Sequence, residues 1–234
     1  MALPKLETPT YELELPSTGE KIKYRPYLVK EQKNLMLAVE SEEDSQIKTA
    51  IADLISACTF EKIKPFEVPM FDIEYMFLRL RGKSVGEKVK VNILCPDDNE
   101  TRVDVNIDLE KVGVQLEEEH TNEINITDNI KIIMRYPTLN DMDQVKERQE
   151  IEQTFDVMKR CIAEIHDGET IHHRIDISES ELDEFVENLT TSSFEKMQEF
   201  FKTMPKVLHV VNVKNPKTKK KNKVIIEGIQ SFFE

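Results

Sequence analysis

The residue types that could do chemistry in this chain fall into three places. Cys95 stands before Pro96 at the end of an alternating apolar segment, where a zinc knuckle places a thiolate. A knuckle partner would occupy position 98, which holds Asp98, and Cys58 and Cys161 have no partner at that spacing either. His166, His172 and His173 form the one histidine cluster, a candidate ligand set for a metal-dependent hydrolase. Adjacent residues of an extended segment point to opposite faces, and no H-E-x-x-H pattern is present, so a solvated loop is the simpler reading. Paired carboxylates could serve glycoside hydrolysis, but with 45 acids in the chain some pair always lies near another. G-x-S-x-G, G-x-G-x-x-G and Walker motifs are all absent.

The basic residues are better segregated. Arg79, Arg81 and Lys83 follow one another closely, and Lys214, Lys217, Lys219, Lys220, Lys221 and Lys223 fall within ten residues. The lysines read either as an exposed hairpin tip that resists edge pairing or as an electrostatic contact to an acidic protein. Phe232 and Phe233 give the last residues an apolar character that fits packing within the chain or anchoring on a partner.

The elements that must position these groups follow from periodicity. Tyr11, Leu13 and Leu15, then Ile22 and Tyr24, read as a hairpin around Pro16–Gly19. A helix over 29–40 turns Leu35, Met36 and Val39 inward, and Ile47, Ile51, Leu54, Ile55 and Cys58 make one stripe on a second. A third helix covers 70–80. The pattern breaks at Gly82 and Gly86 around a basic linker, and Val89, Val91 and Ile93 begin a second hairpin ending at Ile107. An acidic connector covers 111–121, and Ile124–Met134 forms another hairpin. A long helix is predicted from Leu139 to Ile165, then two helices with capping boxes at Ser178/Glu181 and Ser192/Glu195, then a terminal hairpin around Asn215–Thr218. Hairpins interleaved with amphipathic helices, without a parallel βαβ sheet, define an α+β chain. The natural division is 1–110, a connector at 111–123, and 124–234.

Composition narrows the function. The 234 residues carry a net charge of −13, so nucleic acid is a poor partner and free self-association is discouraged. Three scattered cysteines fit a reducing compartment, and no apolar run reaches the ~18 residues of a membrane span. Met1–Pro4 begins no signal peptide, which predicts cytoplasmic synthesis.

Four segments carry a resemblance: PFEVPMFDIEYMFLRLRGKSVG at 65–86, the strand ending in Cys95-Pro96, FFKTMPKVLH at 200–209, and IIEGIQSFF at 225–233. Together they resemble the baseplate hub protein family of T4-like contractile-tailed bacteriophages, over nearly the whole chain. These motifs are structural, so they mark family better than role. Members of that family often carry a second cysteine soon after the Cys-Pro pair; Asp97, Asp98 and Asn99 stand here instead. The resemblance implies a virion component of the tail baseplate, made in the host bacterial cytoplasm and binding other hub or wedge proteins, with no cofactor and no reaction. It equally admits a hub assembly catalyst absent from the mature particle. Under the first reading Arg79, Arg81, Lys83, Lys217, Lys219, Lys220 and Lys221 steer the contact, and Phe232 and Phe233 anchor it. The sequence sets no copy number or oligomeric state.

Overall fold

A computed structural model describes residues 7–143 and 150–228. Strands β1 (Tyr11–Glu14) and β2 (Lys21–Tyr24) precede helices α1 (Val29–Glu40), α2 (Asp44–Cys58) and α3 (Met70–Ser84). Strands β3 (Lys88–Leu94), β4 (Arg102–Asp108), β5 (Gly113–Gln115), β6 (Glu123–Asn125) and β7 (Ile130–Met134) follow. Then come α4 (Leu139–Asp143), α5 (Glu150–Arg160), β8 (Ile162–Asp167), β9 (Thr170–His173), α6 (Glu179–Glu187), α7 (Thr191–Thr203), β10 (Lys206–Lys214) and β11 (Lys221–Glu227). All strand pairings are antiparallel, so the chain is α+β.

The chain divides into two units, one of residues up to Gln115 together with those from Lys206 onward, the other Leu116–Pro205. The terminal hairpin, assigned from sequence to the second half, therefore belongs with the first. The reason is β5, which the acidic composition of the connector concealed. It pairs with β10 at Lys206↔Gln115 and Val207↔Val114, giving the sheet order β11-β10-β5.

In the first unit α3 is buried along most of its length, through Phe71, Ile73, Met76, Phe77, Leu78 and Leu80. It continues past the predicted end at Leu80 and takes up the expected basic linker as its last turn. Arg81 and Lys83 there oppose the negative end of the helix dipole, and Ser84 Oγ donates to Leu80 O at 2.6 Å. The break falls at Gly86, whose φ of +145° suits glycine alone.

Helix α1 departs from expectation on its faces. Only Glu31 and Ala38 are buried, while Met36 and Val39 turn outward. Glu31 is held inward by Arg25 at 3.0 Å and by the Leu28 N–H at 2.7 Å, which fixes the rotation of the helix.

Three hairpins of this unit turn in the same way, over Leu15–Gly19, Cys95–Asn99 and Asn215–Lys219. The first residue of each is buried and the second is proline. The fifth residue has a φ of +71°, +53° and +64°, and its N–H donates to the first carbonyl at 2.8, 3.0 and 3.0 Å. The fourth side chain (Thr18, Asp98, Thr218) accepts from the sixth N–H at 3.2, 3.1 and 3.3 Å. Proline presets the backbone for the turn and Thr or Asp supplies the local acceptor.

In the second unit the sheet runs β6-β7-β8-β9 and its core includes Ile132, Met134, Met158, Cys161, Ile162, Leu182, Met197 and Phe200. The long helix predicted to Ile165 stops at Arg160. Ile133 pairs with Glu164 and Met134 with Ile162, so Ala163 is bulged out of register. The bulge brings Ile162 and Ile165 to the core side three residues apart, a spacing that imitates a helix. The Val145 portion of that prediction lies outside the described residues. The capping box at Ser178/Glu181 is present, with Ser178 N donating to Glu181 Oε2 at 2.9 Å. The second cap is Thr190 instead of Ser192, because Ser193 N donates to Thr190 Oγ1 at 3.2 Å and Ser193 is buried.

His120 joins this core through both ring nitrogens. Nδ1 lies 2.9 Å from Thr203 Oγ1 and Nε2 lies 3.1 Å from the Tyr136 hydroxyl. Thr203 already donates to Glu199 O at 2.8 Å, so it accepts from Nδ1–H, and Nε2 accepts from Tyr136. Burial pushes the His120 pKa down, with Glu117 opposing.

Two outcomes are expected. Because Gln115 and Lys206 are direct strand partners, replacing 116–205 by a short Gly-Ser linker leaves a first unit that still melts cooperatively in circular dichroism. Because the folded state favours neutral His120, its contribution is complete above the unfolded pKa of about 6.5 and fades as pH falls below it. The melting temperature therefore drops more between pH 7.5 and 5.5 in the wild type than in His120→Gln.

Candidate protein interface

The turn between β10 and β11 concentrates basic side chains. Lys214, Lys217, Lys219, Lys220, Lys221 and Lys223 are all exposed. Lys214 and Lys221 face each other across the hairpin, a like-charge pair that costs stability. Lys219 occupies the left-handed position of the turn at φ +64°. β11 is an edge of its sheet, so Lys221 and Lys223 serve to block edge pairing. Lys217, Lys219 and Lys220 lie in the turn, beyond the strand edges, and edge protection does not require them.

A clasp to the β3–β4 turn fixes the base of this tip. Asp97 Oδ1 accepts from Asn215 Nδ2 and Asn222 Nδ2, each at 2.9 Å, and Asp97 Oδ2 accepts from Thr218 Oγ1. Asn215 is fully buried, and its Oδ1 accepts from the N–H groups of Lys217 and Thr218 at 2.8 and 3.1 Å. Lys217 Nζ reaches Glu100 at 2.8 Å. The bonds from Thr218 and Asn215 hold the Asp97 carboxyl below the usual range. Asp98, bonded by the Thr101 hydroxyl and N–H, is lowered further.

Cys95 fills the same first turn position as Leu15 and Asn215, wholly buried. Burial, then Asp97 and Asp98, pushes its thiol up. Cys58 and Cys161 are also buried and free, raised by burial to about 11 and about 12. Thiols so protonated are poor nucleophiles and poor ligands. The clasp itself escaped sequence reasoning, although Cys95-Pro96 and Asn215-Pro216 at matching turn positions were its visible signal.

The other basic candidates are engaged within the unit. Arg79 donates to Leu109 O at 2.8 Å and Val112 O at 2.7 Å, and lies 4.7 Å from the Tyr75 ring centre. Arg81 is half-buried, and burial pushes its guanidinium pKa down, with Tyr27 opposing. Lys83 bridges Glu87 and Glu110, each at 2.6 Å, and those bonds raise its pKa. Arg79 and Lys83 tie α3 to its neighbours and Arg81 is half-buried, so the three do not form a free basic face. Phe232 and Phe233 lie outside the described residues.

The histidines separate across the β8–β9 hairpin. His166 and His173 both meet Glu164, at 2.7 and 3.2 Å, and hydrogen bonding to His166 lowers the Glu164 pKa. His172 pairs opposite Ile165 and so points to the other face. Among the described residues no group of three or more His, Cys, Asp or Glu side chains is arranged to hold a metal. No described helix is long and apolar enough to cross a membrane.

The chain is thus an α+β protein that carries an exposed basic hairpin tip, braced at its base by Asp97. The family model described as T4 bacteriophage base plate protein matches residues 8–234, and the chain belongs to that family. No curated protein and no solved structure matches it.

The clasp has a measurable weight. Asn215→Ala removes two turn hydrogen bonds and the link to Asp97, and should lower the unfolding free energy by about 2 kcal/mol in urea titration. Lys219→Ala, at an exposed position, should change it by less than about 0.5 kcal/mol.

Proposed function

We propose that this baseplate protein is a non-enzymatic structural component of the hub, retained in the tail of a contractile-tailed phage after synthesis in the host cytoplasm. In this reading it binds hub or wedge proteins through the β10–β11 tip. The observation that carries the reading is the concentration of lysines at a turn braced by Asp97, in a chain of net charge −13. A basic tip on an acidic body attracts an acidic partner in one orientation and raises the encounter rate. The buried, protonated thiols and the Glu164-bound histidines support a role without catalysis.

Mass spectrometry of purified particles tests the location: the chain should be present at a fixed ratio to other baseplate proteins. Its absence would favour the assembly-catalyst role. The triple variant Lys217→Glu, Lys219→Glu, Lys220→Glu tests the surface. It should fold with an unchanged circular dichroism spectrum yet complement a phage lacking the wild-type chain at least tenfold less well, as expected when steering charges are reversed. Normal complementation by a folded variant would remove the tip from the interface.

A further inference from the structure

The exposed face of α1 has a pattern that neither the core nor the lysine tip uses. Val29, Gln32, Lys33, Met36, Val39 and Glu40 recur at spacings of three and four, which places them on one stripe. The stripe is opposite the buried Glu31 and Ala38. Val29, Met36 and Val39 are 80, 63 and 54 % exposed. Ile47 and Ile51 of α2 line the same groove. An apolar heptad seam is the arrangement by which one helix pairs with another.

We propose that α1 is a self-pairing surface, and that its occupant is α1 of a second copy in antiparallel orientation. The charges along the helix select that occupant. Lys33 lies toward its N-terminal end and Glu40 in its last turn, with Met36 between them. With Val29 of one copy beside Val39 of the other, Met36 faces Gln32 of the second copy and Lys33 reaches its Glu40. Symmetry repeats each contact, as an isologous interface requires. The antiparallel orientation also opposes the two helix dipoles. A parallel pair would instead bring together the two acidic ends at Glu40, Glu42, Glu43 and Asp44. The net charge of −13 does not forbid pairing, because screening over about 8 Å at physiological salt leaves only charges near the seam to matter. A short helix pair of this size is a weak interface, so a micromolar, reversible dimer is expected.

Sedimentation velocity of the full chain from about 1 to 100 µM in 0.15 M salt tests this. The expected result is a concentration-dependent monomer–dimer equilibrium that Met36→Glu abolishes while the circular dichroism melt stays unchanged. Lys33→Glu and Glu40→Lys should each weaken the dimer roughly tenfold, since each reversal creates two like-charge contacts. The double variant should return to within about twofold of wild type, since it restores both opposite-charge contacts. A wild-type monomer throughout would overturn the proposal. So would a dimer indifferent to Met36→Glu, or a double variant no tighter than either single one. A monomer that instead takes an amphipathic helix of another protein on this face would also overturn it.

Discussion

Asp97 accepts hydrogen bonds from three side chains that lie 118 to 125 residues further along the chain. One carboxylate thereby joins the β3–β4 turn to the β10–β11 turn. Asn215 is fully buried, and that carboxylate accepts from its amide at 2.9 Å, which offsets the cost of burying a polar group. The β1–β2 turn is tied by a parallel device. There the carboxylate belongs to Asp72, buried in the first turn of α3, and accepts from the N–H of Ser17 at 3.1 Å and from its hydroxyl. Burial raises the Asp72 pKa while the two Ser17 bonds oppose that rise. In both cases the third residue of the turn makes the link. The repeated turn thus serves as a connector between elements as well as a reversal of the chain.

Closure by β5 and β10 explains how the first unit tolerates a long excursion. The chain leaves at Gln115 and returns at Lys206, and these two residues are strand partners. Entropy of loop closure grows only as the logarithm of length, so an excursion of ninety residues costs about 3 kcal/mol more than a loop of a few. The pairing also places Val207, fully buried, beside Val114.

Much of this was legible in the residues, and the failures have physical causes. Period-two alternation located β1 to β4, β6, β7, β10 and β11, because one face of each hairpin must be buried. The stripe Ile51, Leu54, Ile55 and Cys58 is buried as its spacing predicts. Ile162 and Ile165 misled because a bulge gave a strand the spacing of a helix. β5 was missed because it precedes the run Glu117–Glu119, whose acidity made the whole segment read as a solvated connector. The inward turn predicted for Met36 and Val39 failed because Glu31, a charged residue that sequence reading places in water, is the one that faces Arg25 inside. Arg79 and Lys83 looked like surface charge for a similar reason. Their partners Leu109, Val112 and Glu110 come from far along the chain and are invisible to local spacing; only Glu87, four residues after Lys83, lies within its reach.

The first unit consequently offers two surfaces of different physical kind. The lysine tip is polar, exposed and held by hydrogen bonds at its base. Charge there acts at long range, depends on salt, and governs how fast and in which orientation a partner arrives. The α1 stripe is apolar, with one basic and one acidic residue beside its seam. Its energy comes from removing Val29, Met36 and Val39 from water, which acts only at contact and governs how long a complex lasts. The proposed role needs both properties, and a single surface supplies them poorly together. Lysines placed among the apolar residues would have to be desolvated in the complex, and exposed apolar groups at the tip would invite edge pairing along β11. Keeping the two on separate elements lets each be strong in its own term.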